Sequence, residues 1–228
     1  MFFWDYTYIL VIIGAVISAI ASMNVNMTYQ KYNKSGNSRG LTSERVAEMI
    51  LNQAGIYDVR IEHIRGSLTD HYSPREKVLR LSDSVYGSTS IAAIGVAAHE
   101  CGHAIQHREG YLPLKLRSLS VPVANIGSWF SWPVILVGLL LGSPELAQAG
   151  VILFTFVVAF QLITLPVEFN ASRRACRVLD DHIMLTRTEL DGAASVLRSA
   201  AMTYVASLFA SILQLLRLLL IVGRSRRR

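Results

Sequence analysis

Long apolar runs separated by polar segments are the main pattern along this chain. A membrane-spanning helix needs roughly 20 apolar residues, and three runs approach this length: residues 7–23, 121–141 and 149–167. A fourth run, residues 202–222, is long enough but contains Gln214 and Arg217. The pattern therefore predicts a mainly α-helical integral membrane protein with three or four transmembrane helices.

The basic residues between these runs predict how the chain crosses the membrane. Lys and Arg follow the first run, precede the second and follow the third, but are absent between the second and third. By the positive-inside rule, residues 24–120 and 168–201 are both cytoplasmic, and residues 121–167 form a transmembrane hairpin. The basic tail, residues 223–228, would lie outside if residues 202–222 crossed, so that run is either a fourth span or an amphipathic helix on the inner surface.

Composition supports a membrane protein. The chain is 52% hydrophobic and 17% charged, and its net charge of +6 is spread over loops rather than a nucleic-acid-binding motif. Asp5 and the absence of a basic residue ahead of residues 7–23 argue against a signal peptide, so we interpret this run as a retained anchor. Cys101 and Cys176 form no disulfide framework, which fits a reducing cytoplasmic environment.

The pattern in residues 24–120 predicts a small α+β domain. A first helix ends at Gly55, two short strands occupy about residues 57–62 and 77–81, and a second helix begins near Ser90. The second strand directly precedes this helix, and we expect its edge to pair with an extended substrate.

The second predicted helix contains the HExxH motif His99-Glu100-Cys101-Gly102-His103. Residues four apart lie on one helix face about 5–6 Å from each other, so both imidazoles can bind one Zn²⁺ ion. Glu100 lies beside that ion without binding it. Its carboxylate can take a proton from the attacking water and pass it to the leaving amine.

A catalytic zinc ion needs a third protein ligand. His107 is one turn beyond His103, but three ligands on successive turns of a straight helix cannot converge on one ion. Gln106 also occupies the position where HExxHxxGxxH proteases have a glycine that turns the chain. We therefore expect His107 to be solvated, or at most a partner of a ligand.

Two acidic residues are alternatives for the third ligand. Glu168 follows the third apolar run, where a carboxylate is costly unless it binds metal or pairs with a cation such as Arg173 or Arg174. Asp191 belongs to a Leu-Asp-Gly sequence like that of intramembrane site-2 proteases, but its segment is too polar to span a membrane. Glu168 is the better candidate for the third ligand, and Asp191 is the alternative.

Several segments resemble a known family: Asp5-Tyr6, Val85-Tyr86, the His99–His103 motif, Val167–Ala175 and Ala201–Tyr204. In these the chain resembles the YugP-type neutral zinc metallopeptidases of bacterial membranes and, more distantly, the HtpX and CAAX-type membrane peptidases. The resemblance implies a zincin-like catalytic domain, with Glu168 as third ligand and a membrane hairpin between the ligand-bearing segments. Ser172 stands where the distant relatives have an Asp, so the support of a zinc-binding histidine is expected to differ.

The resulting hypothesis is a zinc metalloendopeptidase of the bacterial plasma membrane, with its active site facing the cytoplasm. One catalytic Zn²⁺ is held by His99, His103 and Glu168, and Glu100 is the general base. Expected partners are the lipid bilayer and polypeptide substrates, including membrane proteins under quality control. No nucleic acid is expected. The sequence does not decide whether the protein forms oligomers or needs accessory membrane proteins.

Two alternatives are a non-catalytic zinc-binding adaptor for another protease and a site-2-type intramembrane protease using Asp191. The oxyanion donor is not assigned. The residues considered for that role are Tyr204, Arg173 and His182.

Overall fold

The computed structural model of the chain describes residues 6–181 and 184–225. In this part of the chain, the elements in order are α1 (Tyr8–Asn33), α2 (Ser43–Gln53), β1 (Arg60–Ile64), β2 (His71–Ser73), β3 (Val78–Ser82), α3 (Ile91–Arg108), α4 (Leu112–Leu140), α5 (Pro144–Asp181) and α6 (Arg187–Ser225). They divide into two compact units. The helical unit contains the described residues up to Ser22, Lys115–Pro166 and those from Met202 onward, and the α+β unit contains Met23–Leu114 and Val167–Ala201.

Helices α1, α4, α5 and α6 are long and apolar enough to cross a membrane. The predicted class of helical membrane protein is therefore confirmed. Within the helical unit, α4 and α5 approach closely at small residues, because a Cβ atom on Gly127 would lie 2.6 Å from the carbonyl oxygen of Leu153. Such close backbone approach at glycine is typical of helices that pack in lipid.

Helix α6 also packs against the N-terminal helix within this unit. A Cβ atom on Gly14 would lie 3.0 Å from the Cα atom of Ala210, and the Arg217 guanidinium lies 4.0 Å from the centre of the Tyr8 ring. The order of these two contacts along the helices shows that α1 and α6 are antiparallel. Residues 202–222 belong to a helix that is long and apolar enough to cross a membrane.

The α+β unit contains a three-stranded sheet of order β1-β3-β2, in which β1 is parallel and β2 antiparallel to β3. The sequence predicted two strands and missed β2. Its expectation that residues 77–81 offer a free edge to substrate is wrong, because β3 is the central strand and both of its sides are already paired. The outer strands are β1 and β2.

Helix α3 is the centre of the core of this unit. It begins after Ser90, whose hydroxyl accepts a hydrogen bond of 3.1 Å from the backbone N–H of Ala93, and such a cap satisfies an otherwise unpaired helix donor. Its buried face packs on apolar residues of α2, β3 and the end of α5. Cys101, inside the motif, is fully buried in this core with its Sγ atom 3.7 Å from the carbonyl oxygen of Ala47.

Candidate metal centre

Helices α3 and α5 bring His99, His103 and Glu168 together inside the α+β unit. One donor atom from each residue lies within 4.8 Å of the other two. Oε2 of Glu168 is 3.2 Å from Nε2 of His99 and 3.7 Å from Nε2 of His103. The side chains are 16%, 11% and 3% exposed for His99, His103 and Glu168, so this cluster is largely shielded from water.

The donor set of this cluster fits a zinc ion. Two imidazole nitrogens and a carboxylate oxygen are common ligands of catalytic zinc, and three protein ligands leave a fourth position open. A largely buried carboxylate facing two imidazoles is also an arrangement that a bound cation stabilises. In residues 6–181 and 184–225, no other three His, Cys, Asp or Glu side chains bring donor atoms this close together.

Glu100 lies beside these three residues on a neighbouring face of α3. The backbone N–H of Tyr72, in β2, donates a hydrogen bond of 2.9 Å to its Oε2 atom. Burial raises the pKa of the Glu100 carboxyl, and the imidazoles of His99 and His103 partly oppose this rise. A raised pKa brings a carboxyl group closer to the range in which it exchanges protons at neutral pH.

Each histidine has a second polar partner on its Nδ1 side. Nδ1 of His99 lies 3.1 Å from the hydroxyl oxygen of Ser172, and Nδ1 of His103 lies 3.0 Å from the amide oxygen of Gln106. Ser172 stands at the position that the resemblance assigns to an Asp in the distant relatives, and it contacts His99. The sequence reasoning missed the contact of Gln106, although its spacing of three residues from His103 places both on one helix face.

A cavity of about 530 Å³ follows the same face of α3 as Glu100. Its lining includes Tyr72, Ala104, His107 and the loop at residues 55–59. Tyr72 connects the cavity with Glu100, since its N–H contacts that carboxylate and its hydroxyl lies 2.9 Å from Nδ1 of His107. The cavity is therefore adjacent to Tyr72 and, through it, to the Glu100 carboxyl group.

The remaining residues that the sequence singled out do not join the cluster. His107, Arg173 and Asp191 are exposed, and Asp191 is not in the group of converging donor atoms. Tyr204 is 40% exposed on α6 in the helical unit. His182 lies outside the described residues.

The separation of α3 and α5, which carry the three candidate ligands, depends on Gly102. A Cβ atom at this position would lie 2.6 Å from the carbonyl oxygen of Ala171 on α5. We expect Gly102→Ala to force the helices apart, to lower the free energy of unfolding by about 1–3 kcal/mol and to weaken zinc binding. The test is thermal unfolding in detergent together with a zinc titration. Gly223→Ala is the control, because no atom lies near a Cβ there; equal behaviour of the two variants would contradict the prediction.

Comparison with known proteins points to a zinc peptidase family. Residues 7–223 match the model of a family described as "Putative neutral zinc metallopeptidase". The chain belongs to this family. The chain is 46% identical over 205 residues to the "Putative membrane protease YugP" of Bacillus subtilis (strain 168). The aligned residues cover 90% of this chain and 91% of the relative. No solved structure matches the chain significantly.

The family membership confirms the resemblance inferred from the sequence segments. At the general level it supports a membrane-bound zinc protease.

Proposed function

We propose that this protein is a zinc-dependent endopeptidase of the bacterial plasma membrane that hydrolyses polypeptides at the cytoplasmic face. The observation that carries the proposal is the convergence of His99, His103 and Glu168 beside Glu100. Family membership supports the zinc and protease parts of the proposal. The distribution of basic residues supports the cytoplasmic orientation.

His99, His103 and Glu168 would hold the metal, and Glu100 would transfer protons. When bound, Zn²⁺ supplies Lewis acidity toward the peptide carbonyl and the attacking water. Glu100 accepts a proton from that water and donates it to the nitrogen of the leaving amine. The hydrogen bond from the Tyr72 N–H holds one oxygen of Glu100, which fixes the orientation of the carboxylate during both transfers.

The polypeptide would bind along β2 in an extended conformation. β2 is an outer strand, and its residue Tyr72 already contacts the base. An extended chain adds to such an edge through backbone hydrogen bonds, which tolerate many sequences. The neighbouring cavity is large enough for a bulky substrate side chain. This mode suits an enzyme that degrades unfolded segments of different membrane proteins.

The direct test is cleavage by the purified full-length protein in detergent. We expect one Zn²⁺ per chain to bind and an unfolded polypeptide to be cleaved internally, with activity lost to a chelator and restored by zinc. Mass spectrometry of the products identifies the cleaved bonds and excludes trimming from the ends. Zinc binding without cleavage of any unfolded or membrane-derived substrate would instead support the adaptor alternative.

A further inference from the structure

Gln106 is a fully buried polar residue that contacts both ligand-bearing helices. Its Oε1 atom lies 3.0 Å from Nδ1 of His103. Its Nε2 atom donates hydrogen bonds to the carbonyl oxygen of Val167 at 2.8 Å and to Oδ1 of Asn170 at 2.9 Å. One side chain therefore joins a metal-ligand candidate on α3 to residues on either side of Glu168 on α5.

These contacts determine which way the amide of Gln106 points. The carbonyl oxygen of Val167 can only accept a hydrogen bond, so the amide atom facing it must be the NH₂ group. The amide oxygen must then face His103. Because this oxygen also only accepts, Nδ1 of His103 must carry the proton.

The tautomer of His103 follows from this arrangement. A neutral imidazole carries one N–H, so a proton on Nδ1 leaves the lone pair of Nε2 free. Nε2 is the atom that faces Oε2 of Glu168. Gln106 thus places a proton on Nδ1 of His103, which leaves Nε2 as the atom through which this ring can bind a metal.

His99 has no such restriction from its own partner. The Ser172 hydroxyl, 3.1 Å from Nδ1 of His99, can donate or accept a hydrogen bond. It is compatible with either tautomer. On their Nδ1 sides the two histidines are therefore supported unequally, and the stronger constraint there is on His103.

The contact of Gln106 with α5 belongs to a longer network. Oδ1 of Asn170 also accepts a hydrogen bond of 2.7 Å from Nε of Arg174. The guanidinium of Arg174 in turn pairs at 2.6 Å with Glu109, just beyond the end of α3. This network holds α5 against the second half of α3 at two points, one buried and one near the surface.

We propose that Gln106 is a positioning residue that sets the tautomer of His103 and fixes the segment carrying Glu168 relative to α3. This inference rests on the proposed zinc site. Removing a hydrogen-bond partner behind a metal ligand typically lowers metal affinity about 10–100-fold. Gln106 supports one ligand directly and a second through its helix, so its loss affects both.

The test compares Gln106→Met, which keeps the approximate size but removes the amide, with Gln106→Glu, which keeps an oxygen facing His103. The control Gln53→Met makes the same exchange at an exposed helix position. Zinc affinity is measured by competition with a chromophoric chelator. The ¹⁵N spectrum of the metal-free protein, labelled at its six histidines, reports the tautomer of each ring.

We expect Gln106→Met to bind zinc about 10–100-fold more weakly and to lose the Nδ1–H signal of His103. Gln106→Glu should keep that signal but bind zinc more weakly, since a carboxyl group provides at most one of the two donors to α5. Ser172→Ala should change the spectrum of His99 and leave that of His103 unchanged. Gln53→Met should match the wild type in both measurements.

Wild-type zinc affinity and an unchanged His103 signal in Gln106→Met would overturn the proposal. If that variant does not fold by circular dichroism, Gln106→Glu decides, and loss of its Nδ1–H signal would count against the assigned role. A wild-type protein that binds no zinc would refute the proposed function instead. The spectrum of the metal-free protein would still test the role of Gln106.

Discussion

Replacement of Glu100 by Gln should leave zinc binding intact and reduce peptide hydrolysis by about 10²–10⁴-fold. The amide keeps the size of the carboxyl group, and its oxygen can still accept the hydrogen bond from Tyr72. It cannot take up the proton of the attacking water. The measurement is kcat/KM on a quenched fluorescent peptide with the zinc content determined on the same sample.

Glu48→Gln is the matched control for this experiment. Its carboxylate is on α2, with a side chain that is 51% exposed, and we expect its activity to equal that of the wild type. Hydrolysis by Glu100→Gln at the wild-type rate would reject Glu100 as the general base. Loss of zinc together with activity would show that the exchange had disturbed the metal site rather than proton transfer.

Replacement of Glu168 by Ala should remove zinc almost completely, whereas replacement of Asp191 by Ala should not. The Glu168 side chain is 3% exposed and faces both imidazoles, so its loss leaves only two converging donors. We expect a larger loss of affinity than the roughly 100-fold that removal of an outer hydrogen-bond partner can cause. Zinc content after dialysis, measured by elemental analysis, compares the two variants directly.

The Asp191 variant separates two classes of protease. Asp191 is exposed at the start of α6 and is outside the group of converging donor atoms. A loss of zinc in Asp191→Ala with retention in Glu168→Ala would reverse the ligand assignment and support a site-2-type enzyme. Both variants should keep the helical content of the wild type, which circular dichroism checks.

The sequence predicted the features that depend on local pattern or on the cost of burial. The helix containing His99 was expected from about Ser90, and it begins at Ile91, because a capping serine and a run of small apolar residues specify it locally. An acidic residue at the end of an apolar run needs a partner, and this cost predicts Glu168 as a ligand. The structure places it against two imidazoles.

Features that depend on residues far apart in the chain are harder to predict from the sequence. β2 has only three residues and no clear alternation, and its position depends on pairing with β3. Without β2, the sequence pattern indicates a free edge at β3. The role of Gln106 was hidden for the same reason, because Val167 and Asn170 are more than 60 residues away in the chain and meet it only after folding.

The thiol in the middle of the motif has a consequence for the chemistry of the metal site. Cys101 points away from His99 and His103 into the core, and burial raises the pKa of its thiol. A protonated, enclosed sulfur neither competes for the ion nor meets dissolved oxidants. The candidate donors are therefore nitrogen and oxygen atoms only, and we expect thiol oxidants to leave zinc binding unchanged.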